Sequence, residues 1–259
     1  MRRLSMCLLA LLLSAAFTAG AAQAIPSVSI RGRAVPIPGF PHTGNILGAG
    51  AAVHAEVQIT GTEYGGFPPP LIGVTTYLPR GVKLHPQGFP TCPPKIIIEE
   101  ANPARCPKGS RAGPVGTVNG IVAFGETRVK ETAELSSYFA PGGGFEFFTD
   151  GHSPVSLEIP TSARLTNVNG GEGFGPKLIA QIPLVATVPG APYASVESID
   201  ITVGSAYRKG GKTYYYGRVP NSCPKGGFAV RAQLTFAEEG DVSKPETVTD
   251  NFKAPCPPK

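Results

Sequence analysis

Tryptophan is absent from the 259 residues, methionine occurs twice, and charged side chains make up only 16% of the chain. Beyond residue 24 no apolar run is long enough for a membrane-spanning helix. Cys-x-x-Cys does not occur, which removes both the dithiol redox motif and the close cysteine pairs that structural zinc sites use. The histidines, His42, His54, His85 and His152, are single and widely spaced, so nothing in the sequence specifies a metal centre. No acid-rich loop recurs, and the one conceivable calcium arrangement would combine Asp150 with loop carbonyls. Lys and Arg are scattered, densest at Arg208, Lys209 and Lys212, and give no nucleic-acid footprint.

Glycine and proline are abundant instead, with 33 and 28 copies. Such punctuation excludes long helices and suits short strands joined by turns. The first 24 residues read as an export leader: Arg2 and Arg3 precede the apolar stretch Leu8 to Ala16, and Ala22-Gln23-Ala24 has the small-x-small form of a cleavage site. Cleavage after Ala24 would take Cys7 with it and leave 235 of the 259 residues. The formal charge would fall from +5 to +3, because Arg2 and Arg3 leave and no acid does.

Period-two alternation identifies the strands. Val53 to Ile59 places apolar residues at every other position, as a strand with one face on a core requires. Leu71 to Leu78, Val115 to Val129, Thr132 to Phe139 and Phe145 to Thr149 follow, the last two joined by the turn Pro141-Gly142-Gly143-Gly144, which admits positive φ. Further strands are expected at Val155 to Ile159, Ala163 to Val168, Lys177 to Val188, Val196 to Tyr207, Thr213 to Val219, Phe228 to Phe236 and Glu246 to Ala254. A helical turn or two is expected after Thr91, where Pro93 and Pro94 suit a helix start.

Each of the four remaining cysteines, Cys92, Cys106, Cys223 and Cys256, stands directly before a proline. In a secreted chain they imply disulfides, with three possible connectivities. If Phe236 faces Glu246 and Phe228 faces Ala254, Cys223 and Cys256 meet near the open end of the last hairpin. Cys92 and Cys106 are then natural partners around the expected helical turn.

Several motifs look catalytic and have plainer readings. Gly151-His152-Ser153-Pro154-Val155 resembles a nucleophile elbow, but Val155 occupies the place of the required small residue and Pro154 lacks the oxyanion-hole N–H, so a turn is expected. Gly170-Gly171-Glu172-Gly173-Phe174-Gly175 is not followed by a helix and reads as a turn or bulge. Glu131 and Glu134 are three apart and would face opposite sides of a strand, as would Glu197 and Asp200. A glycosidase would need two carboxylates from different strands about 5 to 9 Å apart. Among surface candidates, Tyr207, Arg208, Lys209, Lys212, Tyr214 and Tyr216 form a Gly-Gly hairpin with Tyr214 and Tyr216 on one face. Tyrosines so placed can stack on sugars, or they can serve as cross-strand pairs covering a sheet edge. Tyr64-Gly65-Gly66-Phe67-Pro68-Pro69-Pro70 reads as an extended packing loop.

Leu78-Pro79-Arg80-Gly81-Val82-Lys83-Leu84, Gly88-Phe89-Pro90-Thr91-Cys92 and Cys106-Pro107-Lys108-Gly109-Ser110-Arg111 together resemble a family of exported actinobacterial proteins of unknown function. Gly151 to Val155, Gly173 to Lys177, Val188 to Pro192 and Cys223 to Phe228 belong to the same pattern. The resemblance implies export and a cysteine-paired β fold, and carries no catalytic residue.

The expected fold is all-β, with sandwich or jelly-roll-like antiparallel sheets and at most one or two short helical turns. The expected divisions are a signal peptide at 1–24, an extended segment at 25–50, a first β unit at 51–141 with the Cys92 to Cys106 loop, and a second at 142–259 ending in the Cys223 to Cys256 hairpin. A single domain over 25–259 is the alternative. The expected function is that of a secreted, non-catalytic structural or binding protein of the extracellular space or cell wall. A carbohydrate-active protein, either a glycan-binding module or a glycoside hydrolase, is the alternative. Extracellular or cell-wall glycans are the candidate partners, and no catalytic residue, metal or cofactor is assigned.

Overall fold

The computed structural model describes residues 25–40, 46–125, 127–167, 173–238 and 240–257. The expected leader with its expected cleavage site after Ala24, His42, and Gly170 to Glu172 of the glycine-rich motif lie outside the described residues. Among the described residues fifteen strands follow one another as β1 Ser27–Val35, β2 Ala52–Thr60, β3 Leu71–Pro79, β4 Lys83–Leu84, β5 Gly116–Phe124, β6 Thr127–Phe139, β7 Phe145–Gly151 and β8 Leu157–Asn167, then β9 Phe174–Gln181, β10 Ser195–Val203, β11 Ala206–Lys209, β12 Lys212–Tyr215, β13 Gly217–Arg218, β14 Phe228–Glu238 and β15 Asp241–Ala254. Among the described residues the helical content is two single turns, Lys95–Glu99 and Pro103–Arg105, where the Pro-Pro start was expected.

Eleven strands form one antiparallel sheet in the order β1-β2-β10-β5-β6-β7-β8-β9-β3-β14-β15. Two short ribbons, β11-β12 and β4-β13, stand outside it. Strands from residues 51–141 and 142–259 interleave in the large sheet, since β3 lies between β9 and β14 and β10 between β2 and β5. The sheet therefore has no seam at residue 141, which instead opens the β6-β7 hairpin.

The sheet rolls until its edges touch. The Ile30 backbone N–H on β1 donates to an Asp250 carboxylate oxygen on β15 at 3.0 Å, and Phe252 packs beside Gly32. Every neighbouring pair is antiparallel, so ten steps across eleven strands return β15 to the direction of β1. Closing the ring would need a parallel ladder with slanted bonds, and side chains make this junction instead. Both edges carry edge-strand devices: Arg31 and Arg33 on β1, and Lys244, Pro245 and Lys253 on β15.

Alternation sets the inside of the roll. Phe228, Val230, Ala232, Leu234 and Phe236 of β14 are all buried and alternate with less buried neighbours. The pairing of Phe228 with Ala254 and Phe236 with Glu246 is as the sequence reading required. Ile59, Leu71, Leu234 and Phe236 fill one part of the interior, while Phe139, Phe145, Ala163 and Tyr216 fill another.

Local expectations change at several places, including the expected strand Lys177 to Val188, which ends at Gln181 as β9, and Thr213 to Val219, which breaks after Tyr215. The segment 25–50 was expected to be merely extended, yet Val28, Ile30 and Ala34 alternate with Ser and Arg and form edge strand β1. Val115 to Val129 is not one strand, because Gly125 at φ 62° turns β5 into β6. The expected break between Ile159 and Ala163 is absent: β8 passes through Pro160, where β9 has already ended opposite Ser162 and the free side of the strand tolerates a missing donor. The expected strand Val196 to Tyr207 ends at Val203, since Gly204 lies so close to Ala52 that a Cβ would sit 2.5 Å from its Cα.

Candidate functional site

The Gly-rich turn after Ala140 folds β6 back onto β7, with Gly142, Gly143 and Gly144 all at positive φ. Register then follows arithmetically: Phe139 pairs with Phe145, Tyr138 with Glu146, Ser136 with Phe148, and Glu134 with Asp150. These last three pairs lie on the face directed away from the interior. On the next strand Pro160 continues the row beside Phe148 and Glu158 the row beside Asp150.

Residues 92–111 lie over this outward face. Their anchors are backbone bonds, Cys92 N–H to the Phe139 carbonyl, Phe139 N–H to the Ser110 carbonyl and Ala112 N–H to the Ser137 carbonyl, each 2.8 Å. The Cys92–Cys106 disulfide closes the loop with Cα atoms 5.0 Å apart. Beneath it Cys92, Ile97, Tyr138 and Phe148 form a buried apolar cluster. That burial holds a two-turn segment of poor intrinsic helicity in place.

Where the loop lifts from the sheet a groove of about 450 Å³ remains. Lys108, Ser110 and Arg111 form one wall, and Glu134, Ser136 and Asp150 line the sheet side. Arg111 donates to the Ser136 hydroxyl at 3.2 Å, and its guanidinium stands 5.8 Å from the Tyr138 ring centre. One Asp150 oxygen is 3.3 Å from His152 Nε2. The other is buried without a hydrogen-bond partner among the described residues. Glu134 and Asp150 are directly opposite on adjacent strands, a placement that costs stability for like charges unless a donor or cation comes between them. The groove thus offers cations on one wall and paired carboxylates on the other, with hydroxyls between, suited to a polar ligand rich in hydrogen-bonding groups.

Glu131 and Glu134 take opposite faces, as expected from their spacing. Glu131 points inward, only 5% exposed, with its carboxylate over Gly151, where a side chain would collide with it. Burial pushes this carboxyl above the ordinary carboxylate range, and the nearby Val155 N–H and His152 offset that only in part. Gly151 to Val155 forms the turn from β7 to β8.

The tyrosine hairpin divides. Tyr207 and Tyr214 pair across β11 and β12 and stack with ring centres 4.9 Å apart and planes 8° from parallel. Tyr207 also sets its edge against Phe89 at 4.9 Å. Arg208, Lys209 and Lys212 are exposed around the turn, and Tyr214 is 41% exposed. Tyr216 must be removed from the surface candidates: β12 ends at Tyr215, and the bend that follows buries Tyr216 to 2% exposure. There its ring stacks on Phe139 at 4.3 Å, its hydroxyl accepts the Gly144 N–H at 3.2 Å, and burial raises its phenol pKa. Tyr64 is likewise a packing residue, with the Arg128 guanidinium 4.2 Å above its ring.

Glu134 and Asp150 were each noted in the sequence but not as a pair, although the hairpin that aligns them was expected. Carrying the register outward from the glycine turn, from Phe139 opposite Phe145, pairs Glu134 with Asp150. No protein-family model matches the chain, and no curated protein or solved structure shows significant similarity to it.

Proposed function

We propose that the protein is a secreted, non-catalytic binding protein of the extracellular space or cell wall, and that the groove between the Cys92–Cys106 loop and the β6-β7 face seats a polar, glycan-class ligand. The observation that carries this is the pairing of a covalently fixed loop with a groove whose walls bear opposite charges. A pre-fixed wall lowers the ordering cost of binding. The two disulfides fit an oxidising compartment, and among the described residues no helix is long and apolar enough to cross a membrane. The resemblance to exported actinobacterial proteins points the same way.

A glycoside hydrolase is the second reading, favoured by one observation: Glu134 and Asp150 come from different strands and face one groove. Binding to a panel of cell-wall polysaccharides separates the two, measured with the parent, Arg111→Ala, Glu134→Gln and Tyr214→Ala. The binding reading expects Arg111→Ala and Glu134→Gln to lose affinity while Tyr214→Ala keeps it, with no reducing ends released. Release of reducing ends that Glu134→Gln abolishes would establish the hydrolase. Binding that depends on Tyr214 alone would move the site to the hairpin.

A further inference from the structure

On the outward face of β1, β2 and β10, three ligating groups converge that are remote in sequence. His54 and Glu56 are two apart on β2 and share that face. Asp200 on β10 is directly opposite Glu56, and Thr202 is opposite His54. His54 Nε2 lies 2.9 Å from a Glu56 oxygen and 3.8 Å from an Asp200 oxygen, and the three donor atoms all fall within 4.8 Å of one another. The other ring nitrogen, Nδ1, is 3.1 Å from the Thr202 hydroxyl.

We propose that His54, Glu56 and Asp200 form a divalent-cation site of the zinc class, with Thr202 as the positioning residue that fixes the imidazole. The donor set is one imidazole and two carboxylates, the mixed nitrogen and oxygen set that zinc accepts. A four-coordinate ion with bonds of about 2.1 Å spaces its donors about 3.4 Å apart. The distances of 2.9 and 3.8 Å lie on either side of that value, so small side-chain shifts complete the geometry. With its proton on Nδ1 and donated to Thr202, the imidazole turns its Nε2 lone pair toward the two acceptor-only carboxylates. The same contacts are also satisfied without an ion when Nε2–H donates to Glu56 and Nδ1 accepts from the Thr202 hydroxyl; in the metal-binding tautomer the ion takes the place of that Nε2 proton. Asp200 is largely exposed, which leaves an approach for the ion and a position for water. Arg33 contacts the same Glu56 oxygen at 3.2 Å and competes with the ion.

The test is calorimetric titration of the untagged protein with zinc chloride near neutral pH. One ion per chain is expected. His54→Ala and Asp200→Asn should weaken binding at least tenfold, Thr202→Val about tenfold, and Arg33→Ala should tighten it. Thermal melts in chelator should place all variants near the parent, showing that the fold is intact. Absence of saturable binding would mean that hydrogen bonds alone hold the cluster and would overturn the proposal. Binding that survives His54→Ala and is lost in His152→Ala would overturn it equally.

Discussion

The Cys92–Cys106 disulfide closes a loop of sequence separation 14, and Cys223–Cys256 one of 33. Chain entropy alone ranks the longer loop as the more stabilising, by roughly 0.7 kcal/mol out of about 3 to 4 each. Their surroundings reverse that order. Cys92 is wholly buried in an apolar cluster with Ile97, Tyr138 and Phe148, whereas Cys256 is exposed and Cys223 half-buried at the mouth of a hairpin whose ladder already fixes it. One bond therefore holds a cover on the sheet and the other reinforces a pairing that exists without it.

The largest effect should come from removing the first. Cys92→Ala with Cys106→Ala is expected to cost about 5 kcal/mol, the lost loop constraint plus apolar surface uncovered when the loop loosens. Denaturant unfolding measures this, and the same variant should lose whatever ligand the groove binds. Phe148→Ala, which empties the space beneath the loop, is expected to cost about 4 kcal/mol without breaking a covalent bond. Cys223→Ala with Cys256→Ala should come next at about 3.5 kcal/mol, with faster amide exchange confined to the ends of β14 and β15. A larger loss here than at Cys92–Cys106 would show that chain entropy, not burial, sets the ranking.

The finest distinction is electrostatic. Glu146 is almost fully buried on the same outward face as Tyr138 and Phe148. Burial raises its carboxyl above the ordinary value of 4.5, and the Ser162 hydroxyl offsets this only in part. Below pH 4.5 the group is protonated whether folded or unfolded and costs nothing. As pH rises through the raised folded value, stability is lost, because the unfolded chain ionises more readily. Glu146→Gln should therefore match the parent at pH 4 and exceed it in stability at pH 7. Equal unfolding midpoints at both pH values would discard this account.

How much of this was legible in the sequence depends on how far apart the partners lie. The β14-β15 register, the local disulfides and the glycine turn after Ala140 all rest on neighbours joined by a short connection, and hydrophobic alternation with turn chemistry states them. Strand β1 was equally legible, since Val28, Ile30 and Ala34 alternate, but its interruption by Gly32 weakened the pattern. The insertion of β3 between β9 and β14, and of β10 between β2 and β5, has no local signal because loop closure there joins distant segments. His54 and Asp200 could meet only through that non-local pairing. Tyr216 shows a different failure: alternation was extrapolated one residue past the end of β12, where a bend turns the ring inward.

Strand direction around the roll resembles a two-colour pattern on a circle, and an odd number of segments cannot be coloured without a clash. With eleven strands the clash must fall somewhere, and it falls between the first strand and the last. Antiparallel pairing is thus ruled out at that one line by counting, whatever side chains are placed there. A carboxylate, Asp250, stands in for the missing carbonyl that the Ile30 amide would otherwise meet. The junction is thus the one line in the wall that side chains join in place of a backbone ladder among the described residues.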